Sequence, residues 1–259
     1  GSYNASGIVL RKMNAASPFQ GWNFVETSFG NTMSFSDRIK ILDSLSGSGL
    51  NVYRSFDGVS SGTVDRIYKA IGNYDNYFYS ASTIKGPYVM SLLKYKPWLL
   101  NSWGDTLYNT INVSSNEAYA ELRNNLGAST LDWFVDWTHA WGFDCSSHYV
   151  WYTPRQLCKL WVGMADYLMG NEQDAWWARD VYGNNIAIYS RQELAWKGVP
   201  IYAKSGWVNG SINVHNEGYL VMDGDHPYVC VIMSNEIWQN NWKMRTLMSA
   251  IDAAHGELV

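Results

Sequence analysis

Near its C-terminal end the chain carries a continuous apolar run, Tyr228-Val229-Cys230-Val231-Ile232-Met233, which reads as a central strand buried on both faces. Glu217–Met222 precedes it across a turn at Asp223-Gly224-Asp225, and Pro200–Lys204 is a further strand. Towards the N-terminal end, Leu50–Phe56 alternates like a strand and Gly58–Gly62 reads as a turn. Thr63–Ile71 follows as a second strand, although Asp65–Ile71 also fits a helix. Between these groups the spacing is helical over 116–126, 130–141 and 153–169, with Gly127 and a loop from Gly142 to Tyr152 as breaks. Thr153-Pro154 supplies a cap and first turn for the last of these. Ser36-Asp37 starts an earlier helix, and Asn241–His255 forms a closing one. Strands therefore bracket helices, and the two groups of strands must meet in one sheet. The expected fold is α+β: an antiparallel sheet flanked by helices, with a helical lobe inserted at about 86–198. Residues 1–35 show no period and read as an irregular N-terminal extension, whereas 36–259 has no linker and reads as one domain. A cleft between sheet and lobe is the natural site.

Composition excludes several classes of function. Hydrophobic residues are 47% of the 259 positions and charged residues only 16%, with a net charge of -4. No basic stripe exists, so nucleic acid is not an expected partner. No apolar run reaches the ~18 residues of a membrane span, so no integral membrane segment is expected. Three cysteines leave a pairing of Cys145 with Cys158 open, but the pattern Leu157, Leu160, Trp161, Met164 favours a buried thiol at Cys158. Cys145-x-x-His148 is half of a zinc site with no second half, so neither metal nor cofactor is expected. Trp133, Trp137 and Trp141 share a helical face, which reads as a core stripe before it reads as an aromatic wall for a sugar or peptide.

Three polar motifs occur in order: Ser82-Thr83-Ile84-Lys85, Ser114-Ser115-Asn116 and Lys204-Ser205-Gly206. Context separates them from look-alikes. Ser91-Leu92-Leu93-Lys94 lies mid-helix, and Ser211-Ile212-Asn213 follows the Lys-Ser-Gly motif instead of preceding it. A serine hydroxyl is a poor nucleophile until something takes its proton. Lys85 lies one helical turn beyond Ser82, on the same face. Burial and a second positive charge, for which Lys204 is the candidate, would lower its pKa and free a neutral amine as base. Pro87 fits the first turns of that helix. Ser114 can relay a proton and Asn116 can orient an amide, while Ser114 or Ser115 also suits a helix cap. Lys204 and Ser205 can bind a carboxylate, and Gly206 lets a substrate backbone lie close, like an added strand.

In this order the motifs resemble those of the serine β-lactamase and penicillin-binding protein (D,D-peptidase) superfamily, with a layout closest to class A β-lactamases. The likeness runs from about residue 36 to 259. It implies that Ser82 is acylated, that Lys85 is the acylation base, and that Ser114 and Asn116 form the middle motif. It also implies that Lys204-Ser205-Gly206 is an edge strand binding a carboxylate, and that the backbone N–H groups of Ser82 and Trp207 form the oxyanion hole. The implied substrates are D-Ala-D-Ala-type peptides or related amides and esters with a free carboxylate, and β-lactams. Two departures stand out. Residues 86–113 make a short gap between the first two motifs, and no Glu-x-x-Leu-Asn sequence lies between Asn116 and Thr153. Of the acids there, Glu117, Glu121, Asp132, Asp136 and Asp144, the loop residue Asp144 is the candidate deacylation base.

Three functions are compatible with these residues. The first is a penicillin-binding-protein-like peptidase or esterase, whose acyl-enzyme turns over slowly for want of that glutamate. It would work outside the cytoplasm near peptidoglycan, with a signal or anchor removed. The second is a β-lactamase with an atypical base. The third is a binding module for cell-wall ligands, against which an intact set of motifs argues.

Overall fold

The computed structural model describes the strands 23–28, 53–59 and 63–69 and residues 76–126, 147–224 and 227–258. A six-stranded antiparallel sheet forms the centre, in the order β2-β3-β1-β8-β7-β6. Its strands are β1 Asn23–Ser28, β2 Tyr53–Val59, β3 Thr63–Lys69, β6 Ile201–Val208, β7 Val214–Val221 and β8 Tyr228–Ser234. A second, two-stranded sheet pairs β4 Phe78–Tyr79 with β5 Trp151–Tyr152. The apolar run forms β8, lies between β1 and β7, and is buried throughout, as an interior strand requires. The molecule is α+β with the sheet built from both ends of the sequence.

Asn23–Ser28 corrects the expectation of an irregular extension over 1–35. These six residues pair antiparallel with β8, Val25 opposite Val231, and with β3, Val25 opposite Lys69. Six residues are too few to show a period, and their strand is fixed by partners about 40 and 200 positions away. The helix expected at Ser36-Asp37, that at 130–141 with its Trp133, Trp137, Trp141 stripe, Cys145 and Asp144 all lie outside the described residues.

Seven helices are described: α1 Lys85–Tyr95, α2 Leu99–Asn112, α3 Asn116–Leu126, α4 Pro154–Met169, α5 Ala175–Gly183, α6 Tyr189–Glu193 and α7 Asn241–Leu258. α2 fills the short gap between the first two motifs and was not evident from spacing. It buries only Leu99, Leu107, Thr110 and Ile111, and its outer face includes the exposed Tyr108. α4 begins as expected: Thr153 and Gln156 form a reciprocal capping box, with Pro154 in the first turn. α1 is buried over most of its length, so it is a core helix of the molecule.

One contact fixes the spacing of sheet and helices. Trp161 of α4 is fully buried against β7 at Gly218, where a Cβ would stand 2.0 Å from the indole Nε1. Gly218 in turn pairs with Lys204 on β6. Gly218→Ala is therefore expected to destabilise the fold by about 1–3 kcal/mol through overpacking. Urea unfolding measures this, and a loss below about 0.5 kcal/mol would show that the indole yields freely.

Candidate active site

The reactive groups converge where β6, the start of α1 and the turn before α3 meet. Ser82 lies in a 3-10 turn, Ala81–Ile84, that runs directly into α1. The turn is held from three sides. Ser80 N–H donates to Val150 O at 2.8 Å, and Val150 N–H donates to Ser80 Oγ at 3.2 Å. The Asn216 amide donates to Tyr79 O at 2.9 Å. Thr83 Oγ1 donates to Ser80 O at 2.6 Å and also meets the Tyr152 hydroxyl. Ser82 is half-buried at the end of this clamp, while Ser80 and Thr83 are wholly buried.

Lys85 Nζ is the hub. It lies 3.0 Å from Ser82 Oγ, 2.8 Å from Ser114 O, 3.3 Å from Ser114 Oγ and 2.7 Å from Asn116 Oδ1. Lys204 Nζ approaches from β6, 3.0 Å from Ser114 Oγ and 2.7 Å from Ser205 O. The Ser114 hydroxyl thus stands between two amines. Both lysines are buried, at 0% and 1% exposure. Burial pushes Lys85 down to about 8. Burial, together with the charge of Lys85, pushes Lys204 down to about 7, against the opposing pull of Glu217. At neutral pH the pair holds fewer than two protons: Lys204 gives up its proton first, and Lys85 beside Ser82 is neutral in a minority of molecules, a fraction far above that of an exposed lysine.

The middle motif divides its labour. Ser115, not Ser114, caps α3, its hydroxyl accepting from Ala118 N–H at 3.1 Å. Ser114 is left in the left-handed region at φ 56°. Two other non-glycine residues among the described ones share that conformation, Ala81 at 45° and Ala187 at 57°. Ala81 precedes Ser82, and the Ala187 carbonyl accepts the Ser205 hydroxyl at 2.7 Å. All three border the same site, where backbone strain characteristically collects.

β6 is the edge of the sheet. At Gly206 a Cβ would come within 2.4 Å of Ser82 N and 2.6 Å of Thr83 N, both backbone atoms that cannot turn away. Only glycine permits this approach, which lays the edge strand against the backbone of the serine. Ser205 is buried and Trp207 is 44% exposed.

The structure brings Ser82, Lys85, Ser114, Asn116, Lys204, Ser205 and Gly206 together, and Trp207 follows Gly206 on β6 with its ring against Trp238. Asp144 lies outside the described residues. Several contributors carried no motif: Ser80, Asn216, Tyr149, whose hydroxyl donates to Asn116 Oδ1 at 3.1 Å, and Glu217. Glu217 is fully buried on β7 opposite Ser205, and accepts the N–H groups of Tyr189 and Ser190 at 2.8 and 3.1 Å. Burial raises its pKa above the usual carboxylate value. The expected strand Glu217–Met222 opened on this acid, but the sequence gave no sign of its partners 27 and 28 residues away. Among the described residues no group of His, Cys, Asp and Glu could hold a metal ion, and no helix is long and apolar enough to cross a membrane.

The family model of the beta-lactamase enzyme family matches residues 94–254, more than half of the chain. The chain belongs to this family. Membership supports a serine hydrolase at the level of the family. Solved structures agree in fold. A class A beta-lactamase from Mycobacterium abscessus superposes with a TM-score of 0.56 at 16% identity, over 86% of this chain and 100% of that one. PBP-A gives 0.58 at 16% identity, over 86% of this chain and 96% of the other. A PBP-A mutant in acyl-enzyme complex with penicillin G gives 0.56 at 16% identity, again over 86% and 96%. No curated protein matches the sequence.

The buried lysines make stability depend on pH in a definite direction. Unfolded lysines titrate near 10.4. From about 7 up to that value these two lysines bind more protons in the unfolded chain than in the folded one, so their own contribution to stability rises with pH, while the buried tyrosines, raised by burial, oppose it as pH nears 10. Lys204→Met should flatten the rise and stabilise the protein at pH 7. Urea unfolding at several pH values checks this, and an equal slope in both proteins would contradict it.

Proposed function

We propose that the protein is a penicillin-binding-protein-like acyl-transferase that forms an acyl-enzyme at Ser82 and releases it slowly. One observation carries the reading. The Ser82 hydroxyl and the Lys85 amine are in contact, and among the described residues no carboxylate hydrogen-bonds to either. The site can take a proton from the serine, and among the described residues no carboxylate stands against either group to serve a deacylating water.

The steps follow from the contacts. A substrate carboxylate binds at Lys204 and Ser205, and its backbone lies along β6 beside Gly206. Neutral Lys85 takes the Ser82 proton as Oγ attacks the carbonyl carbon. The oxyanion is received by the N–H groups of Ser82 and Trp207. The bond to the leaving amine then breaks, and the Ser114 hydroxyl hands that nitrogen a proton drawn from the lysine pair. An ester on Ser82 remains, to be taken by water or by an acceptor amine. The substrates that fit are peptides ending in D-Ala-D-Ala, related amides or esters with a free carboxylate, and β-lactams. PBP-A, similar in fold, yields an acyl-enzyme with penicillin G in its mutant form, which supports the reading. Work on such substrates belongs outside the cytoplasm.

Intact-protein mass after mixing with benzylpenicillin tests this. The wild type should hold a long-lived adduct of one drug mass, absent from Ser82→Ala. Gly206→Ala should lose it as well, since its Cβ would strike the Ser82 backbone. Acylation should accelerate as pH rises towards about 8, where Lys85 gives up its proton. A transient adduct with drug consumed would instead mean a β-lactamase, with Asp144 as the base to test. No adduct at all would contradict both.

A further inference from the structure

Asn116 is held through one atom by two donors. Lys85 Nζ lies 2.7 Å from Asn116 Oδ1, and the Tyr149 hydroxyl donates to the same oxygen at 3.1 Å. Asn116 is exposed at the site, and its Nδ2 has no hydrogen-bond partner among the described residues. An ammonium can only donate, so charged Lys85 fixes which end of the amide it meets. Neutral Lys85, the form that acts as base, carries a lone pair and no longer fixes it alone. The Tyr149 phenol then decides. Its proton has no other acceptor among the described residues, and burial, reinforced by Tyr79, raises its pKa, so it remains a donor. The short segment that carries it is anchored on both sides. Arg123 of α3 donates to Ser147 O at 2.7 Å, and the Tyr119 hydroxyl donates to His148 O. Val150 is locked to Ser80 by the two hydrogen bonds that clamp the turn of the nucleophile. The Tyr149 ring stands 5.5 Å from that of Tyr119 and 6.0 Å from that of Tyr79. The phenol is thus tied to the helix of Asn116 and to the turn of Ser82.

We propose that Tyr149 is a positioning residue for acyl transfer, whose hydroxyl holds the Asn116 amide with Nδ2 turned to an amide carbonyl of the substrate. The inference rests on the proposed function for the substrate, while the hold on Asn116 rests on the contacts themselves. A phenol kept protonated is no base for water, so Tyr149 acts through Asn116. Its O–H dipole presents the positive end to Oδ1, which makes that oxygen a weaker acceptor for Lys85 and favours the neutral amine. The other groups that face Lys85 come from two elements. Lys204 approaches from β6, with Glu217 of β7 acting on it in turn. Tyr119 of α3 has its ring 5.8 Å from Lys85 Nζ, and Arg123 lies 5.9 Å from the same ring. Tyr119 is raised by burial and stays neutral while Lys85 titrates.

Tyr149→Phe keeps the ring and removes the hydroxyl. Two β-lactams read the effect: benzylpenicillin, which carries a side-chain amide, and penicillanic acid, which has none. At pH 9, where Lys85 is mostly neutral, the wild type should be acylated faster by benzylpenicillin. Tyr149→Phe should lower the ratio of the two acylation rates about fivefold, the worth of one neutral hydrogen bond. NMR of labelled lysine side chains reads the hold on Asn116 without any substrate. Freed of the phenol, Oδ1 accepts more strongly from the ammonium, so the Lys85 midpoint should rise by about half a pH unit in Tyr149→Phe. This second measurement separates the inference from the catalytic reading. If neither β-lactam acylates the wild type, the proposed function fails, and a raised Lys85 midpoint still upholds the hold of Tyr149 on Asn116. An unchanged ratio of rates, or a Lys85 midpoint that does not move, would overturn the inference.

Discussion

Two lysines held out of water around one hydroxyl are the constraint on which the site depends. Lys85 and Lys204 both reach Ser114 Oγ, at 3.3 and 3.0 Å, and neither can solvate its charge. Two ammonium groups so close and so dry oppose each other, and the protein relieves this by binding fewer protons. The repulsion falls on Lys204, which gives up its proton first, while burial alone lowers Lys85 enough to make a base next to Ser82. The arrangement is unfavourable for folding in the state with both charged, so the surrounding contacts must over-determine it.

Those contacts come from elements far apart in sequence. Gly206 brings the edge strand to the backbone of Ser82 and Thr83. Gly86 does the same from the helix side, where a Cβ would stand 3.2 Å from that of Lys204. Tyr182 donates to Gly86 O at 2.6 Å and fixes the same turn of α1. Glu217 ties the start of α6 to β7, and the segment just before it offers Ala187 O to Ser205. Nucleophile, base and carboxylate site are therefore parts of one packed joint between sheet and helices, not loops set side by side.

Much of this was legible in the sequence because it rests on local pattern. The run Tyr228–Met233 had to be interior, and Thr153-Pro154 had to open a helix. The three motifs named the residues that now stand in contact. What stayed hidden depends on tertiary pairing. Asn23–Ser28 is a strand only because β8 and β3 lie on either side of it. α2 buries too narrow a face to show a clear period. Ser114 and Ser115 looked interchangeable as caps until the left-handed backbone at Ser114 separated them. Asn216, Ser80 and Tyr149 are ordinary polar residues whose importance lies in partners 33 to 137 positions distant.

The central claim is that Lys85 supplies a neutral amine to Ser82 at physiological pH. Side-chain NMR of lysines labelled at the ε-carbon and ζ-nitrogen, titrated from pH 5 to 11 and assigned with Lys85→Arg and Lys204→Arg, measures it most directly. The account predicts that two lysines titrate near 7 to 8, well apart from the rest. If Lys85 instead kept its proton to about 10.4, as an exposed lysine does, it could not serve as the base and the account would fail.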